Sequence, residues 1–101
     1  MIVEYLRYTV EADRADGFVE AYDKASEPLL ASPYCQSFDL SRSVDDPTQF
    51  ILRIEWSSAE DHMQKFRKSE EFKTFFAFVK PFYDDIAEMR HYDRLVDRRK
   101  E

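Results

Sequence analysis

The sequence predicts an α+β fold in which one antiparallel four-stranded sheet carries both of its helices on a single face. Three observations predict it. Apolar residues alternate with period two in four stretches and recur with a helical period in two others, in the order strand, helix, strand, strand, helix, strand. Asp45-Asp46-Pro47, between the middle two strands, is a turn signal with a mechanism: Asp side chains satisfy local backbone groups and Pro sets one dihedral. Finally, 101 residues at 44% hydrophobic and 36% charged suffice for one ordinary globular domain. That domain is expected over residues 1–95, with a charged tail over 96–101.

The first strand spans Ile2 to Val10, with Ile2, Leu6, Tyr8 and Val10 on one side and Val3, Tyr5, Arg7 and Thr9 on the other. From Asp13 the period becomes helical, and Phe18, Tyr22, Ala25 and Leu29 form one buried stripe. Asp13 or Asp16 is positioned to cap this helix, and Gly17, the sole glycine, lies in its first turn. Pro28 removes an interior hydrogen bond, so a kink near Lys24 to Glu27 or a separate final turn is expected.

Tyr34 to Ser43 is the second strand, with Gln36, Phe38, Leu40 and Arg42 opposite Cys35, Ser37, Asp39 and Ser41. Thr48 to Trp56 is the third, with Phe50, Leu52, Ile54 and Trp56 alternating with Ile51, Arg53 and Glu55. Ser57-Ser-Ala-Glu60 matches a capping box, and the helix it opens is expected to run to about Arg67. Ser69 restarts a cap ahead of Phe72, Phe75, Phe76 and Val79, and Pro81 ends or bends that element. The last strand, Ile86 to Leu95, turns Met89, His91, Asp93 and Leu95 one way and Arg90, Tyr92 and Arg94 the other.

Both helices cover one sheet face, so the other needs an explanation. It carries Val3, Tyr5, Ile51, Arg53 and Tyr92, too apolar for water and too charged for a dry core. Two such sheets packed face to face in a homodimer bury that face and enclose a half-polar cavity.

Composition excludes several functions. A formal net charge of −6 opposes binding to phosphate backbones or anionic membranes, so neither nucleic acid nor membrane is an expected partner. The basic cluster Arg98-Arg99-Lys100 is diluted by Asp97 and Glu101 and reads as a solvated end. A single cysteine, Cys35, forms no intrachain disulfide, and Met1 leads directly into Ile-Val-Glu-Tyr, so a cytoplasmic protein is expected. A lone glycine leaves no room for a P-loop or dinucleotide fingerprint. The only nitrogen and sulfur donors of metal-binding type, His62, His91 and Cys35, stand far apart in the chain, so no metal site is expected.

Three pieces of the chain, Glu4-Tyr-Leu-Arg-Tyr-Thr-Val10, Ser32-Pro-Tyr-Cys-Gln-Ser-Phe-Asp-Leu40, and Glu55-Trp56 with Ser57-Ser-Ala-Glu-Asp61 and Phe66-Arg-Lys-Ser-Glu-Glu-Phe72, resemble the antibiotic biosynthesis monooxygenase family of the dimeric α+β barrel superfamily. The third piece is the most specific. The resemblance implies a ferredoxin-like protomer, a homodimer, and oxidation of an electron-rich aromatic substrate by molecular oxygen with no metal or flavin cofactor. A related branch binds and degrades haem. Trp56 matches the family's strand-end tryptophan, which lines a cavity or anchors the hairpin. Where members frequently carry a histidine four residues after His62, this chain has Phe66, which weakens a haem-ligand or general-base role at that position. His62 replaces that function if the helix is rotated; a partly exposed surface histidine is the plainer expectation. The haem branch also uses an asparagine on the first strand, and this chain contains none.

Cofactor-free oxygenation needs an apolar pocket, a base that favours the substrate anion, and stabilisation of charge developing on oxygen. The catalytic candidates are Trp56, Arg53 and His62, and the substrate-binding candidates are Tyr5, Tyr8, Tyr22, Phe66, Phe76 and His91. An ion pair of Arg53 with Glu55, Asp39 or Glu4 is its structural alternative. A quinol- or anthrone-like molecule is the expected ligand. The alternatives are a non-catalytic small-molecule-binding or accessory dimer and, third, a haem-binding protein.

Overall fold

A computed structural model describes residues 1–100; Glu101, the last residue of the expected tail, lies outside the described residues. The elements are β1 (Ile2–Thr9), α1 (Ala15–Ala31), β2 (Cys35–Arg42), β3 (Gln49–Trp56), α2 (Glu70–Val79) and β4 (Ile86–Asp93). The strands form one antiparallel sheet in the order β2-β3-β1-β4, the ferredoxin-like arrangement, with both helices on the same face. The sequence-derived element order is therefore the observed one.

Register follows from alternation. On β1, Ile2, Glu4, Leu6 and Tyr8 face the helices, paired across β3 with Trp56, Ile54, Leu52 and Phe50. The predicted stripe of α1 is buried throughout at Phe18, Tyr22, Ala25 and Leu29. Phe18 packs edge-on against Tyr22, Phe50 and Phe82 and so ties helix to sheet. Each fully buried side chain of this size contributes roughly 1.5–3 kcal/mol relative to an exposed one. Arg14 joins the start of α1 to the turn after α2, bonding Asp85 at 2.6 Å and the Pro81 carbonyl at 2.9 Å.

Local details depart from expectation at four places. Neither Asp13 nor Asp16 caps α1; a short 3₁₀ turn, Ala12–Arg14, leads into it instead. The separate final turn does not form: α1 runs through Pro28 to Ala31, where a proline three residues from the end forfeits one N–H bond and is itself buried. In β2 a bulge at Gln36 interrupts the pairing, so Cys35 joins Phe38 and Leu40 on the helix-covered face rather than Ser37 and Asp39. The element after Trp56 is a π turn over Asp61–Lys65 and a 3₁₀ turn over Phe66–Lys68, not one α-helix. No helix among the described residues is long and apolar enough to cross a membrane.

The uncovered sheet face carries Tyr5 and Ile51 on the two inner strands and Tyr92 on the edge strand β4, at 38%, 36% and 50% exposure, large values for side chains of this size on a sheet face. Tyr5 and Tyr92 meet edge to face. With Leu95 and Val96 at one end they rim an open hollow of about 590 Å³.

Candidate functional site

Between the sheet and α2 lies a second cavity, of about 230 Å³, walled by Trp56, Phe66, Phe72, Phe76 and Leu52 and floored by Glu4 and His62. Its position follows from how the chain leaves β3. Ser58 accepts a hydrogen bond from the Asp61 amide at 2.9 Å, and the Asp61 carboxylate accepts from the Ser57 hydroxyl and pairs with Lys65. The cap is thus Ser58 with Asp61, one residue later than the predicted Ser57 with Glu60. The Phe66 amide donates back to Asp61, five residues earlier, which widens the turn. The widened turn keeps His62 and Phe66 on one inward face, and both are buried. His62 is therefore not the surface histidine expected from the sequence.

The His62 ring lies flat on Trp56, with centroids 4.4 Å apart and planes 10° apart, and Phe66 tilts against the same indole at 4.7 Å. The indole N–H of Trp56 donates to Glu4 Oε1 at 3.1 Å. Glu4 Oε1 also lies 3.5 Å from His62 Nε2, and Glu4 Oε2 lies 3.3 Å from His91 Nε2. The two histidines close the group, His62 Nδ1 and His91 Nε2 sharing one hydrogen bond at 2.9 Å. Strand β4 brings His91 there because it pairs directly with Glu4 across β1–β4.

Burial dominates the electrostatics. Desolvation pushes the Glu4 carboxyl up to about 7, against the opposing effects of the Trp56 hydrogen bond and the Arg67 charge. Desolvation, then His91, then Arg67 push His62 down to about 3, so it is a neutral imidazole at pH 7. His91 is lowered for the same first reason and by Arg67. Deeper in the cavity the hydroxyls of Tyr8 and Tyr22 bond each other. Desolvation raises Tyr8 to about 12 and Tyr22 well above its ordinary value, so both remain protonated.

The structure thus unites Trp56, His62, Tyr8, Tyr22, Phe66 and Phe76 around one cavity, with His91 against its histidine. Two sequence-predicted residues belong elsewhere. Arg53 is three residues from Trp56 on the same strand, so alternation sends it to the uncovered face, where it pairs with Asp39 at 2.7 Å and Glu55 at 2.6 Å. Tyr5 lies on that face too. Arg53 and Trp56 cannot act on one ligand within a protomer.

Glu4 and Arg67 are the charged cavity residues that sequence reasoning missed. The signal for Glu4 was its parity, since it shares the inward phase of Ile2, Leu6 and Tyr8. The expectation that the metal-type donors would not converge is also corrected: His62, His91 and Glu4 each present a ligand atom within 4.8 Å of the others, while Cys35 stays apart in the core.

Comparison with known proteins agrees with this architecture. Residues 1–77 match the antibiotic biosynthesis monooxygenase family. An uncharacterised Bacillus subtilis protein, YczJ, is 25% identical over 75 residues, 74% of this chain and 79% of its own. The crystal structure of a Bordetella bronchiseptica protein described by the same family name superposes with a TM-score of 0.76 at 23% identity, covering 94% of this chain and 97% of that one. A Nitrosomonas europaea protein so described gives 0.73 at 26% identity, covering 95% and 100%.

Proposed function

The chain belongs to the antibiotic biosynthesis monooxygenase family, and from that premise we propose that it oxidises a small quinol-like aromatic with molecular oxygen, using no cofactor. The observation that carries this reading is a buried carboxylate, Glu4, beside a neutral imidazole, His62, in a cavity walled by aromatic rings. A carboxyl raised to about 7 is matched to accepting a phenolic proton near neutral pH. The cavity, about 230 Å³, is below the ~300–1,000 Å³ of sites for drug-sized ligands. That size favours a quinol of one or two rings over a three-ring anthrone.

Each residue has a role in this scheme. Glu4 takes the proton from the substrate hydroxyl, and the Trp56 N–H holds the carboxylate in place. Phe66 and Phe76 line the cavity around the ring and exclude water. Of the paired Tyr8 and Tyr22 hydroxyls, one donates to the other, which leaves one proton to hold a substrate oxygen. The substrate anion passes one electron to oxygen, the radical pair joins at a ring carbon, and the hydroperoxide loses water. One oxygen atom enters the ring and the other leaves in water, so the quinol supplies every electron.

The working form is a homodimer joined through the uncovered face, where exposed Tyr5, Ile51 and Tyr92 await burial. Oxygen uptake with a panel of benzene and naphthalene quinols, in the presence of EDTA, tests the activity. Protein-dependent uptake is expected, slowed about 10²- to 10⁴-fold by Glu4→Gln, which keeps an acceptor for Trp56 but removes the base. No protein-dependent uptake across the panel would overturn the reading.

A further inference from the structure

We propose that Glu4, His62 and His91 form a three-ligand site for a divalent first-row transition-metal ion at the margin of the aromatic cavity. The inference stands on donor geometry and goes beyond the oxygenase reading. Ligand atoms about 2.0–2.2 Å from a common ion and roughly 90–110° apart lie about 3.0–3.5 Å from one another. Taking one ligand atom from each residue, Glu4, His62 and His91 lie within 4.8 Å of one another; His91 Nε2 is 2.9 Å from His62 Nδ1 and 3.3 Å from Glu4 Oε2, while the 3.5 Å contact of Glu4 Oε1 is to the other His62 nitrogen, Nε2. Small side-chain rotations bring one nitrogen of each ring and one carboxylate oxygen to such a point.

The three ligands come from three places in the chain: β1, the π turn and β4. His62 is held flat by Trp56, and the Trp56 N–H on Glu4 Oε1 gives the carboxylate the supporting bond that metal ligands ordinarily have. Two imidazoles and one carboxylate select Zn²⁺, Co²⁺, Ni²⁺ or Fe²⁺ over Mg²⁺ and Ca²⁺, which prefer oxygen alone. Arg67 is the opposing charge. Among the described residues it has no carboxylate partner, and its guanidinium reaches the Met89 sulfur at 3.9 Å, so it can swing to solvent. His91 lies outside residues 1–77, so the ligand set extends past the stretch matched by the family.

The test titrates Co²⁺ into the EDTA-treated, tag-free chain, read by calorimetry and by emission of Trp56, the sole tryptophan. Expected are one ion per chain, quenching of Trp56 by paramagnetic Co²⁺, displacement by Zn²⁺ but not Mg²⁺, and binding weakened about tenfold or more by His91→Ala and by Glu4→Gln. His91 is exposed, so its alanine variant keeps the fold; circular dichroism verifies that. No saturable binding, or binding undiminished by His91→Ala, would overturn the site. Because binding is read directly, and oxygen uptake is measured with EDTA present, the two readings fail separately.

Discussion

Glu4 and Glu55 sit on neighbouring strands, both at least 95% buried, and their carboxyls shift in opposite directions. Glu4 faces the aromatic cavity, where Trp56 supplies a neutral donor and the loss of water prevails. Glu55 faces the other side of the sheet, where hydrogen bonds from Arg94 and then Arg53 hold its carboxyl down at about 2. A depressed carboxyl adds stability that is present above the ordinary value of 4.5 and is lost as pH falls through about 2. Glu55→Gln is therefore expected to destabilise the fold by about 1–2 kcal/mol at pH 7, with the gap closing near pH 2. Urea unfolding of both proteins at several pH values measures it; an equal gap at pH 7 and pH 2 would refute the assignment. At this scale legibility was uneven. Tyr8 and Trp56 are legible from residue type and strand phase and Phe66 from the family resemblance, whereas the burial of His62 is not, and residue type alone does not set Glu4 apart from any other strand carboxylate. Arg53 stands out of phase with Trp56, and it lies on the uncovered face to which the same alternation assigns it.

At the scale of elements, both helices and all four strands were legible because each signal lies within a run of neighbouring residues. Gly17 offers a test of how far helix propensity operates within that frame. Its backbone is not in the left-handed region, and a Cβ added there meets only the Phe82 ring, at an ordinary 3.9 Å. Gly17→Ala should therefore stabilise the fold by about 0.5–1 kcal/mol, raising the melting temperature by about 2–8 °C for a domain of this size. A lowered melting temperature would show that the α1 start needs the glycine. The two irregular elements were not legible. A bulge at Gln36 and a π turn at Asp61–Lys65 each insert one residue, and nothing in local periodicity announces where a chain accommodates it.

For the whole molecule, the unexplained surface is the uncovered sheet face. Burying it against a second copy predicts a particle of twice the 12.1 kDa chain mass by light scattering. Ile51→Asp, at an exposed position in the centre of that face, should leave a folded chain of single mass. A wild-type protein of single mass at micromolar concentration would remove this interface. By itself the sequence determined the α+β class, the order of elements, which face of each regular element is apolar, and the family resemblance. All of these are written in short-range patterns of residue type. The tertiary structure decided that Glu4, His62 and His91 meet, because their meeting depends on β1 pairing with β4 and on a widened turn folding His62 beneath Trp56. Residues 4, 62 and 91 share no local pattern; sheet order and burial bring them together and set the charge each one carries.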